Sequence, residues 1–316
     1  MKKIIALALA VLMLTSLAAC GSSGSGKYKV GICQLVQHPA LDAATQGFQD
    51  ALTKQLGDKV EFDVQNASGE PANCTTIVNG FVSSKVDLIM ANATPALQAA
   101  KEATATIPIL GTSVTDYASA LEIDGWTGTV GTNISGTSDL APLDGQAAMI
   151  KELFPDAKTV GILYCSSEAN SQYQVDVITG SLTDLGFSVT PYSFTDTNDV
   201  ASVAQKACDS DVIYIPTDNT AASNTEAIAN VVLPAKVPVV AGEAGICQGC
   251  GVATLSISYY DLGYATGLMA AQVLTGEAKI SEMAVQYAPE FTKQYNAANC
   301  DALGITIPGD YTPLEG

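Results

Sequence analysis

The polar residues best placed for chemistry follow apolar runs that end abruptly. His38, the only histidine, stands just before Pro39. Asn92 and Thr94 sit in "ANATP", and Ser113 and Thr115 in "GTSVTD". Glu168, Asn170 and Ser171 sit in "SSEANS", Asp218 and Asn219 in "PTDNT", and Glu243 in "AGEA". Small hydroxyls and the N–H groups of helix starts suit a carboxylate. Asp218 or Glu243 suits an ammonium. The pattern therefore fits a zwitterion held between two sets of loops, with Asp218 expected at the ammonium. A purely structural alternative exists, because Ser, Thr, Asn and Asp are also the preferred helix caps. That alternative applies to Thr94, Ser171 and Asp218, and His38 could equally shape its own loop.

Other chemistries fit less well. A Ser–His–Asp triad needs a histidine base, and His38 has neither a GxSxG elbow nor a second histidine to work with. "CQGC" at 247–250 could be a local disulfide or half a metal site. No second CxxC exists, so zinc is poorly supported and no metal or cofactor is expected. Beyond Cys20, seven cysteines remain, and an odd number cannot all pair within one chain. Most are expected to be small buried residues. Cys33 and Cys165 would suit a racemase, but aligning Val30 with Val160 sets Leu163, not Cys165, opposite Cys33.

The elements that must position these loops are written twice. "KVGICQLVQHPALDAATQGFQDAL" from Lys29 parallels "TVGILYCSSEANSQYQVDVITGSL" from Thr159. "TIPILGTSV" and "KVPVVAGEA" repeat the same spacing. Each half alternates apolar strands with helical patterns, which predicts a parallel sheet covered on both faces. The fold class is α/β, with two Rossmann-like lobes and ligands beyond the carboxyl ends of the strands. The tail supplies extra pieces that return to each lobe. Crossings are expected near Asp116–Thr132, Gly242–Gly251 and Lys279–Pro289. Lobe one is expected over 28–118 plus 252–280, and lobe two over 119–251 plus 281–316. Three crossings make a hinge and a cleft that closes.

The amino terminus gives an address. Lys2 and Lys3, an apolar run and then "LAAC" at Leu17–Cys20 read as a secretory signal over 1–19. The apolar run is shorter than the roughly 20 residues of a spanning helix. Residues 20–27 read as a flexible tether. The net charge is −18, and without Lys2 and Lys3 it falls to about −20. That argues against nucleic acid as a partner. The chain has no arginine, so no guanidinium fork can hold an anion.

Taken together, "LAAC", "HPALDAATQGF", "DLIMANATPA", "IPILGTSVTD", "GTNISGTSD", "YCSSEANS", "PTDNT" and "YNAANCDALGITIP" resemble the substrate-binding lipoproteins of ABC importers, in the tryptophan/tyrosine-type group. The resemblance implies a type I periplasmic-binding fold and lipid on Cys20. It implies capture of a small amino acid, often aromatic, by a monomer anchored to the outer face of the membrane. Delivery would be to a permease with a cytoplasmic ATPase. Leu41, Asp42, Ala93, Val114 and Asp116 lie in the same matched motifs and join the expected ligand contacts. A ligand-sensing module for another small solute, such as a sugar or nucleoside, is the alternative.

Overall fold

The computed structural model describes residues 26–314. The expected signal, Cys20 and most of the tether lie outside the described residues. Among the described residues the strands are β1 (Tyr28–Gln34), β2 (Val60–Asn66), β3 (Leu88–Asn92), β4 (Ile109–Val114), β5 (Ile134–Ser138), β6 (Thr159–Cys165), β7 (Ser188–Phe194), β8 (Val212–Ile215), β9 (Val239–Ala241), β10 (Ala253–Ser256), β11 (Gln286–Tyr287), β12 (Thr292–Tyr295) and β13 (Thr312–Pro313). The α-helices are α1 (Pro39–Leu56), α2 (Pro71–Ser84), α3 (Thr94–Ala103), α4 (Tyr117–Leu121), α5 (Leu143–Leu153), α6 (Ala169–Asp184), α7 (Val200–Ala207), α8 (Asn219–Ala222), α9 (Thr225–Ala235), α10 (Ala244–Cys250), α11 (Tyr259–Thr275) and α12 (Ala297–Leu303).

The strands form two sheets, in the orders β11-β5-β4-β3-β1-β2 and β13-β12-β10-β9-β8-β6-β7. Neighbours pair in parallel except β10 with β12. Period-two alternation divides each central strand between two cores. Val30 and Ile32 of β1 pack with Phe48, Leu52 and Met269, while Cys33 packs on the other face with Phe81 and Leu97. In β6, Val160 and Ile162 take one face and Leu163 and Cys165 the other. The edge strands β2 and β7 are largely exposed, which matches their interspersed polar residues.

Helix α11 returns to the first lobe and lies against α1 at backbone distance. A Cβ on Gly263 would collide with the Ala44 carbonyl, and one on Gly47 with the Tyr260 carbonyl. This close seating fixes α1, whose N-cap residue is His38.

Three crossings are present; the first two lie at places other than expected, and the third, between Tyr287 and Thr292, overlaps the end of the expected Lys279–Pro289 stretch. The chain leaves the first sheet after β5, returns after β10 and leaves again after β11. So β5, expected in lobe two, pairs with β4, and β10, expected in lobe one, pairs with β9. β11, expected in lobe two, pairs with β5. The reason lies in the sequence of β5, "ISGTS", which has no apolar run to mark it as a strand. Its buried hydroxyls are satisfied internally: Ser138 Oγ donates to the Thr115 carbonyl, and Thr137 Oγ1 lies 2.8 Å from Thr266 Oγ1. Satisfied in this way, polar residues can occupy a central strand.

Candidate functional site

The carboxyl ends of both sheets face one another across the lobes. From the first sheet come His38 after β1, Asn92–Thr94 after β3, Ser113–Thr115 after β4 and Asp139 after β5. From the second come Glu168–Ser171 after β6, Thr217–Asn219 after β8 and Glu243 after β9. The two edges touch where His38 Nε2 lies 3.3 Å from Asn219 Oδ1. A groove of about 250 Å³ opens beside this contact, lined by Leu35, Val36, Glu70 and Pro95 on one side and by Glu168, Asn219 and Thr220 on the other.

Four carboxyls are buried here: Asp139, Glu168, Asp218 and Glu243. The ion pairs among the described residues, Lys279–Glu282 and Lys293 with Glu152 and Asp310, are all on the surface. A buried acid with no cation must be satisfied by donors or stay protonated. Glu168 accepts from the Asn219 N–H (3.0 Å) and Nδ2 (2.6 Å), the Thr220 N–H (2.8 Å) and Oγ1 (2.8 Å), and Asn170 Nδ2 (3.0 Å). Asp218 accepts from the Cys165 N–H (2.6 Å), Ser171 Oγ (2.7 Å) and the Ala221 N–H (2.8 Å), the last being its cap of α8. Glu243 caps α10 through the Gly245 and Ile246 N–H groups, and burial pushes its carboxyl up to about 7. Burial, followed by the charge of Glu168, also pushes Asp218 upward.

Asp139 differs from these three. Its Oδ2 accepts from the Tyr259 hydroxyl at 2.9 Å, while Oδ1 is buried without a partner. Burial raises its pKa, opposed by the hydroxyls of Tyr259 and Thr115. Tyr259 opens α11 directly after the crossing from β10, so Asp139 is tied to the hinge. Other buried atoms without partners lie in the same region: His38 Nδ1, Asn92 Oδ1, Thr94 Oγ1, Ser113 Oγ and Asn170 Oδ1. Buried polar atoms are rarely left unpaired, so each calls for an explanation. Ser113 has φ 54° and Ala93 φ 92°, a left-handed backbone that costs non-glycine residues about 1–3 kcal/mol.

The expected contacts thus divide. His38, Asn92, Thr94, Ser113 and Asn170 keep unused capacity at the lobe interface. Glu168, Ser171, Asp218, Asn219 and Glu243 are there too, but bonded to the chain itself. The Thr115 hydroxyl lies near Asp139 and opposes the rise of its pKa. Leu41, Ala93 and Val114 belong to the core of the first lobe. Asp42 is exposed and accepts from Gln34 Nε2 at 2.6 Å, and Asp116 caps α4 through the Ser119 N–H. Asp139 and Tyr259 were not among the expected residues. Asp139 ends the motif "GTNISGTSD", but its role depends on β5, which has no apolar signature. Cys33 and Cys165 are buried in the apolar cores of the two lobes. Tyr164 and Tyr214 are also core residues. Tyr117 and Trp126 stack on one another in the first lobe, with centroids 6.4 Å apart.

Three comparisons with known proteins bear on this site. The family described as ABC transporter substrate binding protein matches residues 29–312. A "Tyrosine-binding protein" of Clostridioides difficile (strain R20291) is 36% identical over 295 residues, 88% of this chain and 85% of that one. A crystal structure from Streptococcus pneumoniae, described as an ABC domain in complex with L-Trp, is 33% identical and superposes with a TM-score of 0.86. The match covers 90% of this chain and 97% of that one. A ligand-free, open substrate binding protein with adhesive properties from Clostridium difficile is 37% identical, yet its TM-score is 0.69 over 91% and 99% of the two chains. The chain superposes better on the L-Trp complex than on the ligand-free, open structure.

Proposed function

The chain belongs to the family of ABC transporter substrate binding proteins, and we propose that it captures a free aromatic amino acid between its lobes and hands it to an ABC permease. One observation carries the choice of an amino acid: Oδ1 of the buried Asp139 has no hydrogen-bond partner in the chain. Burying a charge without a partner is costly, and an ammonium from the ligand supplies the missing one. Asp139 therefore replaces Asp218 as the ammonium partner, because Asp218 is already occupied by three donors from the chain. The carboxylate would be held by the hydroxyls of Thr94 and Ser113, aided by the positive end of α3. No arginine exists to do this. The relatives named for tyrosine and tryptophan support an aromatic side chain.

Binding would close the lobes about the three crossings and leave the ligand chemically unchanged. The chain would act as a monomer outside the cytoplasm, held to the membrane by lipid on Cys20. Among the described residues no helix is long and apolar enough to cross a membrane. Substituting Cys20→Ser should release the chain from membranes, measured by fractionation. Retention with intact Met1 would remove the lipid anchor from the account. The ligand reading is tested by calorimetry with tyrosine, tryptophan and phenylalanine and with their decarboxylated amines. The amino acids should bind and the amines should not. Equal binding of both would defeat the zwitterion site.

A further inference from the structure

The bonds of Glu168 fix the chemistry of a residue on the other lobe. Asn219 Nδ2 lies 2.6 Å from a carboxylate oxygen of Glu168, so this amide corner must be the NH₂ and the other corner the carbonyl. The carbonyl Oδ1 faces His38 Nε2 at 3.3 Å. An oxygen there accepts, so Nε2 carries the hydrogen and donates. Burial holds the imidazole toward its neutral form by lowering its pKa, which leaves Nδ1 as a bare lone pair. Nδ1 is buried and has no partner in the chain. It needs a donor.

The sheet order sets how far apart the strands leading to His38 and Asp139 end. His38 follows β1 and Asp139 follows β5, with β3 and β4 between them. Three interstrand steps are ~14 Å. For a ligand bridging strand ends so spaced, hydrogen bonds of ~3 Å at each end leave a span of ~8 Å. That is close to the ~7–8 Å that bonds of about 1.5 Å give between the ammonium nitrogen and phenol oxygen of an extended tyrosine. Phenylalanine has the same ring and no donor.

On the amino-acid reading above, we propose that His38 Nδ1 is the specificity determinant of the cleft, accepting the hydrogen bond of a phenol hydroxyl at the far end of the ligand. The tautomer is set through Asn219 by Glu168, so the second lobe prepares an acceptor on the first. A site that hydrogen-bonds a ligand hydroxyl strongly rejects the analogue lacking it, because its own buried group is then left unpaired.

The test uses the untagged chain, in which one histidine makes imidazole ¹⁵N labelling report His38 alone. The protein by itself should show the Nε2–H tautomer. Tyrosine should move the Nδ1 resonance and phenylalanine should not. In calorimetry, tyrosine should bind at least tenfold more tightly than phenylalanine or O-methyltyrosine, and His38→Phe should bring the tyrosine-to-phenylalanine ratio close to one. An Nδ1–H tautomer, an imidazolium at neutral pH, or a wild-type ratio of one overturns the proposal while leaving the amino-acid site standing. Binding of no aromatic amino acid overturns the amino-acid reading itself. Should His38→Phe fail to fold, the spectra of the unaltered chain still decide the matter.

Discussion

The two facing edges of the cleft are built from the same residue types and used differently. On the second lobe, Glu168 and Asp218 together accept eight hydrogen bonds from their own chain. On the first lobe, Asn92, Thr94, Ser113 and Asp139 each keep an atom with nothing to bond. The second edge is mostly satisfied by its own chain, its loops locked by buried carboxylates, and Asn170 Oδ1 is the atom there that stays without a partner. The first is unfinished, and a ligand would complete it. The contrast teaches that a carboxylate's presence in a cleft says little until its bonds are counted.

The sharpest way to break this contrast is to neutralise one acid on each side. Asp139→Asn removes one partner of the expected charge pair, a loss of about 3–5 kcal/mol, or on the order of a hundredfold or more in affinity. The ligand-free chain should lose little stability. Asp218→Asn should do the reverse, lowering the unfolding midpoint because an amide NH₂ replaces an oxygen that accepts from the Cys165 N–H and Ser171 Oγ, a loss of about 1–3 kcal/mol, with a smaller change in affinity. Denaturation and calorimetry on both variants decide it. If Asp218→Asn alone abolishes binding in a stable chain, the two edges have been misassigned.

A smaller effect is expected at the hydroxyls. Thr94→Val keeps the shape and removes an unpaired buried oxygen, so it should weaken binding roughly tenfold while raising ligand-free stability by about 1 kcal/mol. Ser113→Gly should also weaken binding, by several-fold, and relieve the left-handed backbone at φ 54°. A ligand-free chain destabilised by either change would mean that these hydroxyls serve the fold.

The smallest effect is on pH. Glu243 is raised to about 7, and Asp139 and Asp218 are raised as well, so the folded chain holds protons that the unfolded chain has released. Stability without ligand should therefore fall as pH rises from the usual carboxylate range through about 7. His38 opposes this at lower pH, because its lowered pKa favours folding as pH rises toward its ordinary 6.5. Between about pH 6.5 and 8 only the acids should act, lowering the thermal midpoint by a few degrees. A midpoint that rises over this range would contradict the burial of uncompensated acids.

Much of this was legible in the sequence, and the omissions have physical causes. Apolar strands such as "DLIMA" and the helix stop at Gly57 declare themselves through local preference, as does the repeat that yields two lobes. β5 does not, because its polar residues are satisfied by Thr112, Thr115 and Thr266 from other segments. Missing β5 moved the first crossing and hid Asp139. The loops were found because polar residues after a strand are conspicuous. Which atoms in them stay free depends on long-range bonds, such as Ser171 to Asp218 or Asn219 to Glu168, that no spacing reveals.

The most direct measurement is a cycle between the ligand's amine and Asp139. Affinities of tyrosine and of its deaminated analogue, 3-(4-hydroxyphenyl)propionate, are measured with the unaltered chain, Asp139→Asn and Asp218→Asn. Loss of the amine should cost the unaltered chain and Asp218→Asn about a hundredfold, and Asp139→Asn tenfold or less. An equal cost in the unaltered chain and Asp139→Asn, or a cost that vanishes only in Asp218→Asn, would contradict the assignment of Asp139 to the ammonium.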